Sequence, residues 1–63
     1  MKAVELRDLD LETLRAKVLE LEDEVFRMRV RKSMGQLEAA QKLKTLRRDL
    51  ARVKTVLREK ESA

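Results

Sequence analysis

LKTLRRDLARVKTVL, from Leu43 to Leu57, is the stretch that decides the fold. Leu43, Leu46, Leu50, Val53 and Leu57 recur at intervals of three, four, three and four. That spacing sets all five on one narrow stripe of a helix, the seam of a coiled coil. Between them stand Lys44, Arg47, Arg48, Arg52 and Lys54, which leave the helix on its broad outer side. One helix therefore carries an apolar stripe that folds the chain and a basic surface available for binding.

Upstream, Leu11, Leu14, Val18, Leu21, Val25 and Met28 repeat the same three-four stepping. The two stripes mesh when paired antiparallel: Met28 with Leu43, Val25 with Leu46, Leu21 with Leu50, Val18 with Val53, Leu14 with Leu57. Every pair is centred on the same point, between Gly35 and Gln36, and Gly35 is the only glycine of the chain. Glycine tolerates the left-handed conformation that commonly ends a helix. The pattern predicts an intramolecular hairpin: one domain over 1–63, long helices over about 10–34 and 38–61, and a turn at about 35–37. Arg27, Arg29, Arg31 and Lys32 crowd the last turns before the glycine, where cations complement the helix dipole. The following GQLEAAQ reads as a turn leading into the second helix. Asp10 is the expected N-cap of the first, with Glu12 in its first turn. Val4, Leu6 and Leu9 allow one short helical turn that folds onto the hairpin.

Composition agrees with this class. The chain has 63 residues, no proline, no cysteine and no histidine. One small core is all such a length provides. Disulfides, thiol chemistry and the common zinc sites are excluded. The fold class is all-α, an antiparallel two-helix coiled-coil hairpin with a short N-terminal helical turn. Apolar runs stop at two residues, far short of the roughly 20 of a membrane span. The opening MKAVELRDLD has no apolar signal region and is too acidic for a transit peptide. A cytoplasmic chain is expected.

The net charge of +4 is unevenly distributed. Residues 1–24 hold four basic and eight acidic side chains, a balance of −4, and residues 25–63 hold twelve and four, a balance of +8. Such asymmetry suits a polyanion partner, and equally a solvated helix surface. Lys44, Arg48 and Arg52 step by four, with Arg47, Lys54 and Arg58 on the adjacent outer rows. The arginine fork suits phosphate oxygens. One aromatic residue, Phe26, gives no stacking platform for single-strand reading. Phosphate contacts and shape recognition of folded RNA fit better. A basic-zipper arrangement on DNA fits worse, because here the basic residues share their helix with the seam.

Leu19, Phe26 and Val30 lie off the seam. They are either covered by the lead-in segment and the seam edges, or they contact a neighbouring protein. Coverage is the expectation for Leu19. For Phe26 both readings stand, and Phe26 and Val30 are the protein-contact candidates. The acidic group Glu20, Glu22, Asp23 and Glu24 forms no closed cage for a cation and reads as a solvated face. A single glycine cannot build a phosphate loop, and a hairpin offers little concavity for a small-molecule substrate. No enzyme activity, metal or cofactor is expected.

GQL at Gly35–Leu37 and RRDLARVKT at Arg47–Thr55 resemble the ribosomal large-subunit protein family numbered twenty-nine. The opening MKAxELR and the Phe26, Arg29 spacing are similar to that family as well, and the likeness covers nearly the whole chain. This chain departs by carrying Arg27, Met28 and Arg31 where the family more often has Asn, Leu and Gln, and Asp10 where Ser is frequent. The resemblance implies a structural ribosomal protein that binds large-subunit ribosomal RNA near the peptide exit, beside another ribosomal protein. It makes Arg47, Arg48, Arg52, Lys54 and Arg29 expected RNA contacts. The residue reading also leaves open a protein-interaction coiled coil that dimerises through its heptads and ignores RNA. A membrane-surface helix lacks an apolar face of sufficient width.

Overall fold

The computed structural model describes residues 2–62. Helix α1 spans Ala3–Arg7, α2 spans Leu11–Ser33 and α3 spans Leu37–Ser62; no strand occurs among the described residues. The two long helices pack against each other as an antiparallel hairpin, and α1 lies on α3. The 26 residues of α3 make a rod of about 39 Å at 1.5 Å per residue. The molecule is 43 Å long and 14–17 Å across, as a folded-back pair requires.

Local chemistry sets each boundary. The Asp10 carboxylate accepts a hydrogen bond from the Thr13 backbone N–H at 2.8 Å, so α2 begins with a side-chain cap. Hydrogen bonds from Thr13, side chain first and backbone second, hold the Asp10 carboxyl below its ordinary value of 3.8. At the other end, the Gly35 N–H donates to the Lys32 carbonyl and the Gln36 N–H donates to the Arg31 carbonyl. These two bonds are the Schellman closure of a helix. Gly35 has φ +86°, and a Cβ there would meet nothing within 4 Å. Glycine is favoured here by backbone conformation, not by lack of space.

The core joins Leu6, Leu14, Leu21, Val53 and Val56, with Leu9, Val18, Leu46, Leu50 and Leu57 packed around them half-buried. Val25, Leu43 and Ala39 are buried closer to the turn. Met28 shares a groove with Lys42, Thr45 and Leu46, while Leu9 meets Lys60 at the open end through a 2.6 Å bond from the Lys60 ammonium to the Leu9 carbonyl.

Two expectations need correction, and a third is extended. Leu57 packs half-buried against the core as the heptad expects, and Val56 beside it is buried. The heptad assigns position 57 to the seam and 56 to its flank, but Leu6 of α1 covers that flank. The stretch GQLEAAQ is mostly helix: α3 starts at Leu37, and Ala39 is buried because it lies one turn before Leu43 on the same stripe. Leu19 is not covered; it is 70 % exposed, because α1 packs on α3 and leaves that row of α2 open.

Candidate nucleic-acid interface

Six exposed basic residues of helix α3 occupy two adjoining rows on its outer arc. Lys44, Arg47, Lys54 and Arg58 follow one row, at steps of three, seven and four. Ala51 fills the gap, and from Lys44 to Arg58 the row carries no carboxylate, with Glu61 as its next position. All four side chains are exposed. The row rises over about 21 Å of helix. Arg48 and Arg52, one turn apart, lie on the adjoining row nearer α1, beside Arg7. They line a shallow groove of about 290 Å³ together with Arg7, Ala51, Thr55, Val56 and Glu59. Arg29 stands apart, exposed on α2 near the turn.

The carboxylates of α3 sit mostly off the outer row. Glu59 reaches Arg7 with an Oε2–Nε separation of 3.6 Å, longer than a hydrogen bond. On α2, Arg27 is tied to Asp23 one turn earlier at 3.0 Å, which reduces what Arg27 can offer a partner. No group of carboxylates among the described residues is arranged to hold a metal ion. No helix among them is long and apolar enough to cross a membrane.

A second exposed feature surrounds the turn. Phe26 is 66 % exposed, and it lines one shallow depression with Arg27, Val30, Arg31, Met34 and Gln36. Leu37, at the start of α3, is also largely exposed. Sequence reasoning singled out Phe26 and Val30 but missed Met34 and Leu37. Their signal was present: both are large apolar residues adjoining the glycine turn, where no third segment can cover them.

The family model described as ribosomal L29 protein matches residues 4–60. The chain belongs to this family. Among similar L29 proteins, the large ribosomal subunit protein uL29 of Syntrophotalea carbinolica is 53 % identical over 62 residues, covering 98 % of this chain and 100 % of the relative. That of Syntrophus aciditrophicus is 52 % identical over 60 residues, covering 95 % and 92 %. That of Solibacter usitatus is 43 % identical over 63 residues, covering 100 % and 94 %. Within the L29 match, RRDLARVKT falls entirely on α3 and GQL spans the α2–α3 turn. Of the opening MKAxELR, Met1 lies outside the described residues, and AVELR is the whole of α1.

Proposed function

We propose that this chain is a structural constituent of the large ribosomal subunit and acts as a single helical-hairpin domain over 1–63. It binds large-subunit ribosomal RNA through the basic surface of α3. Lys44, Arg47, Arg48, Arg52, Lys54 and Arg58 make the phosphate contacts, and Arg29 adds one near the turn. Its place is near the peptide exit of the cytoplasmic ribosome. A neighbouring ribosomal protein there covers Phe26 and Val30. The relatives named as large ribosomal subunit proteins support the assembly. The observation that carries RNA binding is the exposed, carboxylate-free row of Lys44, Arg47, Lys54 and Arg58. Cations aligned along a rigid helix track a phosphate backbone without the cost of ordering a loop. The dimerising coiled-coil reading is weakened because Leu14, Leu21, Leu43 and Val53 fill the seam within one chain.

The test is a triple variant, Arg47→Ala, Lys54→Ala and Arg58→Ala. Circular dichroism should be unchanged, since alanine is the best helix former and these side chains are exposed. Binding to large-subunit ribosomal RNA should weaken. The slope of log K against log[salt] should fall in magnitude by about 2–3. Unchanged affinity and slope would mean that the row is only solvated.

A further inference from the structure

We infer that α1 and α3 together build a phosphate-gripping groove, in which Arg7 joins Arg48 and Arg52 on a sugar–phosphate segment of folded RNA. This rests on the RNA-binding reading above and adds an element to it. The lead-in helix becomes part of the interface as well as a cover for the core.

Three observations converge. First, α1 is held in place by several independent contacts. Leu6 is buried in the core with Val56, and Lys60 of α3 donates to the Leu9 carbonyl immediately after α1. Second, this placement carries Arg7 across to α3, into a groove whose other cationic walls are Arg48 and Arg52. Three arginines from two elements around one concavity suit an anion with several oxygens, because each guanidinium is planar, permanently charged and able to bond bidentately. Third, among the described residues the rest of the groove offers no competing donor. Ala51 and Val56 are apolar, and the Thr55 hydroxyl already donates its proton to the Ala51 carbonyl at 2.8 Å. Binding there falls to the arginines.

Glu59 is the opposing element. Its carboxylate lies 3.6 Å from the Arg7 Nε, and both side chains are more than half exposed. In the free protein it offsets part of the repulsion among three cations and restrains Arg7. A phosphate entering the groove would meet it as a like charge, so Arg7 must exchange Glu59 for the phosphate. Neutralising Glu59 should therefore tighten RNA binding by more than the small general gain that removing any surface carboxylate brings.

The experiment uses the full chain with in vitro transcribed large-subunit ribosomal RNA across a salt series, with circular dichroism on each variant. Arg7→Ala should lower affinity about tenfold and reduce the salt slope by about 0.7–0.9 without loss of helicity in α2 and α3. Glu59→Gln should raise affinity, with the gain shrinking as salt is added. Leu6→Ala, which loosens α1 without touching a charge, should reproduce the loss seen for Arg7→Ala. Normal binding by Arg7→Ala, or no gain from Glu59→Gln, overturns the groove. If the Arg47, Lys54, Arg58 triple variant still loses affinity in that case, the RNA-binding reading survives. If that variant also binds normally, both fall.

Discussion

At the open end of the hairpin, Leu6 and Val56 are buried and α1 lies across α3, whereas at the turn end Phe26, Val30, Met34 and Leu37 all stand exposed. Both ends place apolar residues just off the same coiled-coil seam. What separates them is a third element. A two-helix seam buries one stripe per helix, and any apolar residue on the flank needs something else to cover it. The lead-in segment does so for Val56, and among the described residues nothing does so for Phe26. A cluster of exposed apolar side chains beside Arg27 and Arg31 is unusual on a small soluble surface and suits a partner. Substitutions at the open end should therefore register in the stability of the free protein. Those at the turn end should register in assembly.

The largest effect is expected deep in the seam, where Leu14 and Val53 are fully buried. Loss of the leucine side chain alone costs about 2–5 kcal/mol, and Leu14→Asp adds the desolvation of a carboxylate. The free protein should lose most of its helical circular dichroism. A Leu14→Asp chain that stays helical would remove Leu14 from the core and with it the hairpin seam.

Next comes the open end itself. Leu6→Ala should cost about 2 kcal/mol, the low end for a buried leucine, because α1 can relax away from α3. The loss should be local. Amide exchange should speed up in the turn after α1, where the Leu9 N–H bonds the Leu6 carbonyl. The α2–α3 seam near Val25 and Leu43 should remain protected. Uniformly faster exchange would mean that α1 is an integral layer, not an added cover.

These two sites also show what the sequence makes legible. The seam of Leu14, Leu21, Val25, Leu43 and Val53 follows from heptad spacing, because a coiled coil repeats one contact geometry along its length. Gly35 and Asp10 are legible because a positive φ and a cap each demand a narrow set of residue types. Val56 is not legible from the heptad. Its burial depends on Leu6, fifty positions away in the chain, and no periodicity connects the two. Arg7 escapes notice for the same reason: it is one arginine in an acidic segment until α1 docks and carries it to Arg48 and Arg52. That most basic side chains of α3 stand exposed follows from the seam, whereas what they touch depends on a partner and has no signature in the chain.

A smaller effect belongs to the cap between α1 and α2. Hydrogen bonds from Thr13 lower the Asp10 carboxyl below 3.8, so the folded state binds a proton there less readily than the unfolded chain. Its contribution is fully present above the unfolded value and is lost as pH falls through the lowered folded one. Acid titration followed by amide exchange in the first turn of α2 should show that turn loosening below pH 3.8. Asp10→Asn caps comparably without titrating, so it should flatten this response while leaving the helix start intact. An identical acid response in Asp10→Asn would trace the effect to other carboxylates.

The smallest effect on folding is expected at the turn end, and it sharpens the contrast most. Phe26 is largely exposed and makes no part of the buried core. Phe26→Ser removes an exposed aromatic ring from a helix, and surface changes of this kind stay within about 0.5 kcal/mol. Thermal unfolding of the isolated chain should therefore barely move. Affinity for naked large-subunit ribosomal RNA should also be retained, since the ring has no part in the phosphate contacts. Retention in assembled large subunits during a high-salt wash should drop, because high salt screens the phosphate contacts while burial of apolar surface against a protein neighbour persists. Phe26→Leu, which keeps most of the apolar area, should restore much of that retention. If Phe26→Ser instead destabilises the free hairpin, the turn end is covered within the chain after all. If neither stability nor retention changes, no neighbour covers the ring, and the apolar cluster at the turn plays no part in assembly.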